Sequence, residues 1–243
     1  MTYSIGVLAG MGPRSTAPFI DMLVNASQYL YGAKHDMDFP KMHIISLPTP
    51  FYPGITIDDI QMIQALQSGI ADLVNAKVDL IAVPCNLAHI YYSDMKNASA
   101  GIPILHIADC ALQKITSDDT KIAIIGTEPT IDAGFYQERI HAAGKELILS
   151  TELRSRTTTL LALIKEKGFE DKDVIAAWDA VLSYVDALRV HVLLIACTDI
   201  SPLIKSGATR SMKIVDTASS LAESAIHNFY KIHNFYNLER SPF

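Results

Sequence analysis

Two cysteines stand at the same kind of place in the chain. Cys85 closes the apolar run DLIAVPC, and Cys197 closes VHVLLIAC. Each is followed by a polar residue, Asn86 or Thr198, and then by what reads as a helix start. A thiol titrates near ~8.5, so thiol and thiolate are both accessible close to neutral pH. A helix N-terminus favours the thiolate through its unpaired N–H groups and its dipole. The α-carbon of a free amino acid is a very weak acid. Inverting it without a cofactor needs a base on one face and a proton donor on the other. Two opposed cysteines could fill both roles, while Asn86 and Thr198 could hydrogen-bond a carboxylate. Against this, a single cysteine at the end of an apolar strand is ordinarily a small core residue. Two at matching joints weaken that alternative. Cys110 has Ser219 at its matching place and reads as core.

The elements that must position these thiols alternate in type. SIGVLAG, KMHIISLP, DLIAVPC, IPILHIA, KIAIIGT, ELILS, VHVLLIAC and KIVDT read as short strands, apolar on both faces as buried parallel strands are. DIQMIQALQSGIADLVNA and DVIAAWDAVLSYVDALR place apolar residues at helical spacing. The chain also repeats itself. SIGVLAGMGPRST matches KIAIIGTEPTID, DLIAVPCNLAH matches VLLIACTDISP, and IPILHIADCALQ matches MKIVDTASSLAE, in the same order. The offsets are 117 from Ile5 to Ile122, 112 between the cysteines and 109 from Leu112 to Leu221. The expected fold is therefore α/β: two pseudo-symmetric Rossmann-like lobes, each a parallel sheet flanked by helices. Residues 1–115 would form the N-terminal lobe and 116–225 the C-terminal lobe. Residues 226–243 would form a terminal helix or tail packing on the first lobe. Ligands of open parallel sheets bind at the carboxyl ends of strands, where the repeated joints lie. The active site is thus expected in the cleft between the lobes, with a cysteine from each.

Composition narrows the partners. The 243 residues carry a formal net charge of −6 and are 49% hydrophobic, enough for a substantial core. No basic block could coat a phosphate backbone, so nucleic acid is not an expected partner. No run approaches the ~20 apolar residues of a membrane span, and the N-terminal run is too short and glycine-rich for a secretory signal. Three cysteines without CxxC spacing point to free thiols in a reducing cytoplasm rather than to disulfides or a metal site. His35, Asp36 and Asp38 lack a second ligand cluster and read as a loop. His89 reads as a locally packed histidine, Asp109 as a helix cap, and Glu128 and Asp132 as first-turn acids. The repeated His-Asn-Phe-Tyr near the C-terminus suggests aromatic anchoring of the last helix or a dimer contact.

At the motif level the chain resembles the aspartate/glutamate racemase superfamily, most closely its aspartate racemase branch. LAGMGPRST resembles the family's N-terminal Gly-Gly-Met turn. VPCNLAH resembles its first cysteine motif, usually Cys-Asn-Thr-Ala-His. IIGTEPTIDAGFY resembles its central Gly-Thr…Thr…Phe-Tyr motif, and ACTDISPL its second, usually Gly-Cys-Thr-Glu. Glutamate racemase of cell-wall synthesis opens with Asp-Ser-Gly and has Cys-Thr-His at the second site. This chain has Ala9-Gly10-Met11 and Cys197-Thr198-Asp199, which makes that activity a poorer match.

The resemblance implies a cofactor-independent amino-acid racemase, a homodimer, acting on aspartate or a similar small amino acid with no metal and no PLP. Cys85 and Cys197 would be the acid/base pair, Cys197 facing the α-hydrogen of the L-isomer and Cys85 that of the D-isomer. Asn86, Thr127, Thr130 and Thr198, with backbone N–H groups near Met11, would hold the α-carboxylate. For Thr127 and Thr130 the alternative is simple helix capping. Ile55 stands where many relatives place a carboxylate-gripping arginine, and Arg156, where a lysine is usual, could supply that grip. Its alternative is a solvated helix-start arginine. Leu87 replaces a threonine and Asp199 a glutamate, which loosens the case for a dicarboxylic substrate. Other chemistries of the superfamily remain open: hydantoin racemisation, maleate isomerisation or malonate decarboxylation. So does a two-lobed binding protein without turnover.

Overall fold

A computed structural model describes residues 3–52, 55–204 and 211–240, with side-chain surroundings up to residue 232. The chain divides into two compact units. The first comprises residues 1–106 and 221–243, the second residues 107–220. The first crossing falls at Ile107, before the helix that the sequence pattern assigned to the first lobe. The last crossing falls inside the terminal helix, at Leu221.

In the first unit, β1 (Ser4–Ala9), α1 (Thr16–Tyr31), β2 (Lys41–Ser46), α2 (Asp59–Asn75), β3 (Leu80–Ala82) and α3 (Tyr92–Ala98) follow in order. The sheet is parallel, ordered β2-β1-β3. Ile104 extends it by a single parallel bridge to Ile81, so IPILHIA gives one bridge rather than a strand. β1 and β3 are buried throughout. β2 is not: as the edge strand it exposes Lys41, Ile44 and Ser46, so it is not apolar on both faces. Asp58 caps α2 by accepting from the Gln61 N–H at 3.1 Å, and Gly32 ends α1 in the left-handed region, where a Cβ would be strained.

The second unit runs α4 (Ile107–Leu112), β4 (Lys121–Gly126), α5 (Glu128–Asp132), α6 (Phe135–Ala142), β5 (Glu146–Ile148), α7 (Thr151–Lys167), α8 (Lys172–Ala187), β6 (Val192–Ala196), β7 (Lys213–Asp216) and the start of α9 (Thr217–Arg240). Its sheet is parallel, ordered β5-β4-β6-β7. Trp178, Val181 and Val185 of α8 pack with Leu160 and Ile164 of α7 and with Leu193 and Ile195 of β6. Tyr136 and Ile140 of α6 join Ile122 and Ile124 of β4 and Leu194 of β6 in a second core. Burying such side chains stabilises each by about 1.5–3 kcal/mol.

The two sheets repeat one order. β1 and β4 are central, β2 and β5 flank them on one side, β3 and β6 on the other. Beyond β3 comes Ile104, and beyond β6 comes β7. The ladder fixes the correspondence better than the sequence offset does. Ile81 pairs with Ile104, and Leu193, at the matching place four residues before its cysteine, pairs with Ile214. Ile104 thus corresponds to Ile214, an offset of 110 rather than 109.

Within the first unit, Phe229 of α9 packs at 5.9 Å from the Tyr3 ring and 6.1 Å from Tyr31, while Tyr230 stacks on Tyr31 at 5.1 Å. These are members of the first His-Asn-Phe-Tyr copy; the side chains of the second lie outside the described residues.

Candidate active site

Both cysteines sit at strand ends, one residue beyond β6 for Cys197 and just past Pro84 for Cys85. Each is free of disulfide and 7% exposed. The Cys85 N–H donates to the Val83 carbonyl at 2.8 Å, a three-residue turn that Pro84 suits through its fixed φ. His89 Nε2 lies 3.1 Å from the same oxygen. A carbonyl only accepts, so His89 carries a proton on Nε2 and helps hold the Cys85 turn. The His89 ring lies 4.8 Å from that of His106, and Tyr92 packs against both. His89 is 2% exposed, a locally packed histidine that also fixes backbone beside a candidate catalytic thiol.

The expected helix starts are weaker than the sequence suggested. Cys85 is followed by a single 3-10 segment, Leu87–Tyr91, before α3 begins. After Cys197 come a turn and a three-residue 3-10 segment, Ser201–Leu203. Such short segments align few peptide dipoles, so a helix macrodipole contributes little to either thiolate. Asn86 stands at the N-cap position, but its side chain makes no capping bond. Asn86 and Thr198 are buried, at 3% and 6% exposed.

Thr127 and Thr130 behave otherwise than as caps. Thr127 occupies the N-cap of α5, yet its hydroxyl makes no bond to the helix backbone. It pairs instead with the Thr130 hydroxyl at 2.8 Å. Thr130 is 1% exposed and Thr127 half-buried, so the pair forms a small polar spot at the end of β4. Gly126 just before it permits close strand approach, since a Cβ there would meet the Ala196 carbonyl oxygen at 2.7 Å. Thr158 of α7 donates to Glu128, and Arg154 of α7 pairs with Asp132, so α7 is tied to this turn. Asp132 is therefore an ion-pair partner at the helix end rather than a first-turn acid.

Arg156 points elsewhere on α7. Its Nε lies 2.7 Å from Glu152, one turn back, and its guanidinium sits 5.2 Å from the centre of the Tyr184 ring on α8. Met11 is half-buried in the loop after β1. The preceding Gly10 has φ +93°, and a Cβ on it would meet the Leu47 nitrogen at 2.5 Å. Ile55 is 65% exposed. Asp109 lies inside α4 and accepts from Arg139 Nε at 2.5 Å, so it is an ion-pair partner and not a cap. Among the described residues no group of three or more His, Cys, Asp or Glu could hold a metal ion. The His35–Asp38 turn is closed by its own backbone, with the N–H groups of Lys34 and His35 both donating to Asp38 at 2.8 Å. These bonds hold the Asp38 carboxyl below the usual range. Among the described residues no helix is long and apolar enough to cross a membrane.

One residue of the site region was missed by sequence reasoning. Asp216 ends β7 and pairs in the ladder with Ile195, two residues before Cys197. Its carboxylate accepts from Ser201 Oγ at 2.8 Å and from the N–H groups of Ala218 and Ser219 at 3.1 and 3.4 Å. Loss of hydration pushes its pKa up to about 6, and the three hydrogen bonds oppose that rise.

The Asp/Glu/hydantoin racemase family model matches residues 8–225, a stretch that contains both cysteine turns and the threonine pair. The chain belongs to the Asp/Glu/hydantoin racemase family. It is an isomerase by that membership. This racemase-family chain is 36% identical over 225 residues to the broad specificity amino-acid racemase RacX of Bacillus subtilis (strain 168), covering 93% of this chain and 97% of that one. Its fold is similar to that of the Picrophilus torridus aspartate racemase, with a TM-score of 0.77, 20% identity and 94% of each chain covered. An aspartate racemase homologue from Pyrococcus horikoshii OT3 gives 0.73 at 20% identity, covering 95% of this racemase-family chain and 100% of its own.

Proposed function

We propose that the protein racemises free amino acids without PLP, using Cys85 and Cys197 as its two acid/base groups. One cysteine, as thiolate, takes the α-proton and leaves a carbanion at the α-carbon. The other, as thiol, delivers a proton to the opposite face and becomes the thiolate. The exchanged roles serve the reverse direction. The observation that carries this reading is the equivalence of the two thiols. They follow matching strands of a repeated sheet order, each 7% exposed, in a chain of the racemase family.

The paired hydroxyls of Thr127 and Thr130 offer donors for the α-carboxylate, together with Asn86, Thr198 and the backbone near Met11. Arg156 is a candidate for a side-chain carboxylate, which would take the place of Glu152 on the guanidinium. The substrate range proposed is broad and includes aspartate, with small neutral amino acids alongside. The similarity to RacX supports breadth, and so does Ile55 where an arginine grip is usual in aspartate racemases. The active form proposed is a cytoplasmic homodimer, on the strength of the family resemblance.

The test is solvent exchange in D₂O. The protein, without added PLP, is incubated with single L- or D-amino acids, and α-deuterium and optical rotation are followed. Exchange with loss of rotation is expected for several amino acids. Exchange that survives in both Cys85→Ala and Cys197→Ala would overturn the two-thiol mechanism.

A further inference from the structure

The repeat puts chemically different groups behind the two thiols. His89 stands four residues after Cys85, and Ser201 four residues after Cys197. His106 stands two residues after Ile104, and Asp216 two after Ile214, the residues that the ladders make equivalent. His89 touches His106, ring to ring, and Ser201 touches Asp216 through its hydroxyl. The two contacts thus occupy one place in the repeat, once in each unit. In the first unit it holds two imidazoles, and in the second a hydroxyl donating to a carboxylate.

We propose that this difference sets unequal resting states for the two cysteines, Cys85 as thiolate and Cys197 as thiol. The inference rests on the proposed two-thiol racemisation and names which thiol enters a turnover as base. A carboxylate one strand over from Cys197 disfavours a second negative charge there, whereas the imidazole pair behind Cys85 brings no anion. A racemase needs one thiolate and one thiol to begin a turnover, and two equal thiols would spend much of their time doubly protonated or doubly ionised. A built-in bias keeps the productive combination populated. It makes the enantiomer whose α-proton faces Cys85 the one the resting protein accepts first.

Loss of hydration raises the Asp216 pKa to about 6, which stays below the range where a thiol titrates. Asp216 takes hydrogen bonds from Ser201 and from the start of α9. From α6 the phenol of Tyr136, which burial keeps neutral, lies within electrostatic reach of it, and Arg139 on the same helix is engaged with Asp109. Asp199 adds another carboxyl two residues after Cys197. On the Cys85 side, Tyr91 and Tyr92 share its apolar cluster, His89 bonds the Val83 carbonyl of its turn, His106 packs on His89 and Tyr92, and the Tyr91 hydroxyl donates to Asp59 at 2.6 Å.

The test reads thiols and needs no substrate. The substrate-free full chain is alkylated with iodoacetamide from pH 5 to 10, and each cysteine is quantified by peptide mass spectrometry. Cys110, 3% exposed, serves as a buried reference. Equal exposure of Cys85 and Cys197 means that the pH midpoint, not the plateau rate, carries the information. The Cys85 midpoint is expected about one pH unit or more below that of Cys197, a roughly tenfold difference in thiolate fraction below both. Asp216→Asn should lower the Cys197 midpoint by about one unit and leave that of Cys85 in place. Ser201→Ala, which keeps the carboxylate and its bonds from the Ala218 and Ser219 N–H groups, should not lower the Cys197 midpoint. A purely structural role for Asp216 would change rates at every pH without moving a midpoint. Coincident midpoints, or a Cys197 midpoint unmoved by Asp216→Asn, would overturn the proposal. Absence of deuterium exchange with every amino acid would instead overturn the racemase reading, whatever the thiols do.

Discussion

Thr127 and Thr130 are joined hydroxyl to hydroxyl at 2.8 Å at the carboxyl end of β4, one half-buried and the other 1% exposed. One hydroxyl must donate and the other accept, so the pair keeps a further lone pair and a rotatable proton for a third group. Helix caps would point these oxygens at backbone N–H groups, and Thr127 does not do so. Thr127→Val and Thr130→Val are expected to raise KM for every amino-acid substrate about 5- to 30-fold, as loss of a charge-assisted hydrogen bond does. Melting temperatures should change little for Thr127→Val. A KM that rises for some amino acids only would argue against a shared α-carboxylate site.

Cys85→Ser and Cys197→Ser keep size and remove the accessible anion. Each should lower kcat by about 10²–10⁴, the ordinary range for a general acid or base. Steady-state racemisation measured by circular dichroism reads the loss. Cys110→Ser should leave kcat within about twofold, since Cys110 lies in the core of α4.

Arg156 and Glu152 lie one turn apart on α7, their pair about half-exposed. Such pairs contribute only a few tenths of a kcal/mol, ~0.3–0.5. Glu152→Gln releases the guanidinium from its partner. If substrate carboxylates take that place, KM for aspartate falls about twofold while that for alanine stays level. A change shared by both substrates would remove Arg156 from the side-chain site.

Gly10 adopts φ +93° with Leu47 backbone against its open side. Gly10→Ala must push β1 from the segment after β2, or twist the loop that carries Met11. A loss of about 1–3 kcal/mol is expected from chemical denaturation. Gly32→Ala meets nothing within 4 Å and should cost only the strain of its positive φ, about 1 kcal/mol.

The Asp216 carboxyl has a folded pKa raised from 3.8 to about 6. Folding therefore favours its protonated form. Its favourable contribution is complete below pH 3.8 and is lost as pH rises through 6. Asp216→Asn removes that loss. Measured by thermal melts, the variant should gain about 1–3 kcal/mol relative to the natural chain between pH 4 and pH 8. A gap that does not widen with pH would mean that the carboxylate is better hydrated than its surroundings suggest.

Much of the molecule was legible in the residues alone. Runs of β-branched residues marked eight strands, because a buried parallel strand must be apolar on both faces; seven form, IPILHIA gives a single bridge, and the edge strands β2, β5 and β7 each expose residues, having no neighbour on their outer side. Paired motifs gave the repeat and singled out Cys85 and Cys197, since identical joints are rarely filled by chance with the same reactive side chain. Local pattern misled where a few residues cannot reveal their third dimension. Asn86 and Thr198 precede what read as helix starts, which are short 3-10 or irregular turns. Capping, the alternative reading of Thr127, is not what its hydroxyl does: it pairs with Thr130. Asp216, which the strand-then-Asp pattern of the paired motifs IPILHIADCALQ and MKIVDTASSLAE sets against Asp109, takes the place of His106 in the repeat by strand register. A ladder shifted by one residue exchanges inward and outward side chains, and register depends on hydrogen bonds between strands far apart in the chain. The sequence by itself determined which thiols could do the chemistry. Only the tertiary structure decided which groups, two imidazoles or one carboxylate, stand behind each of them.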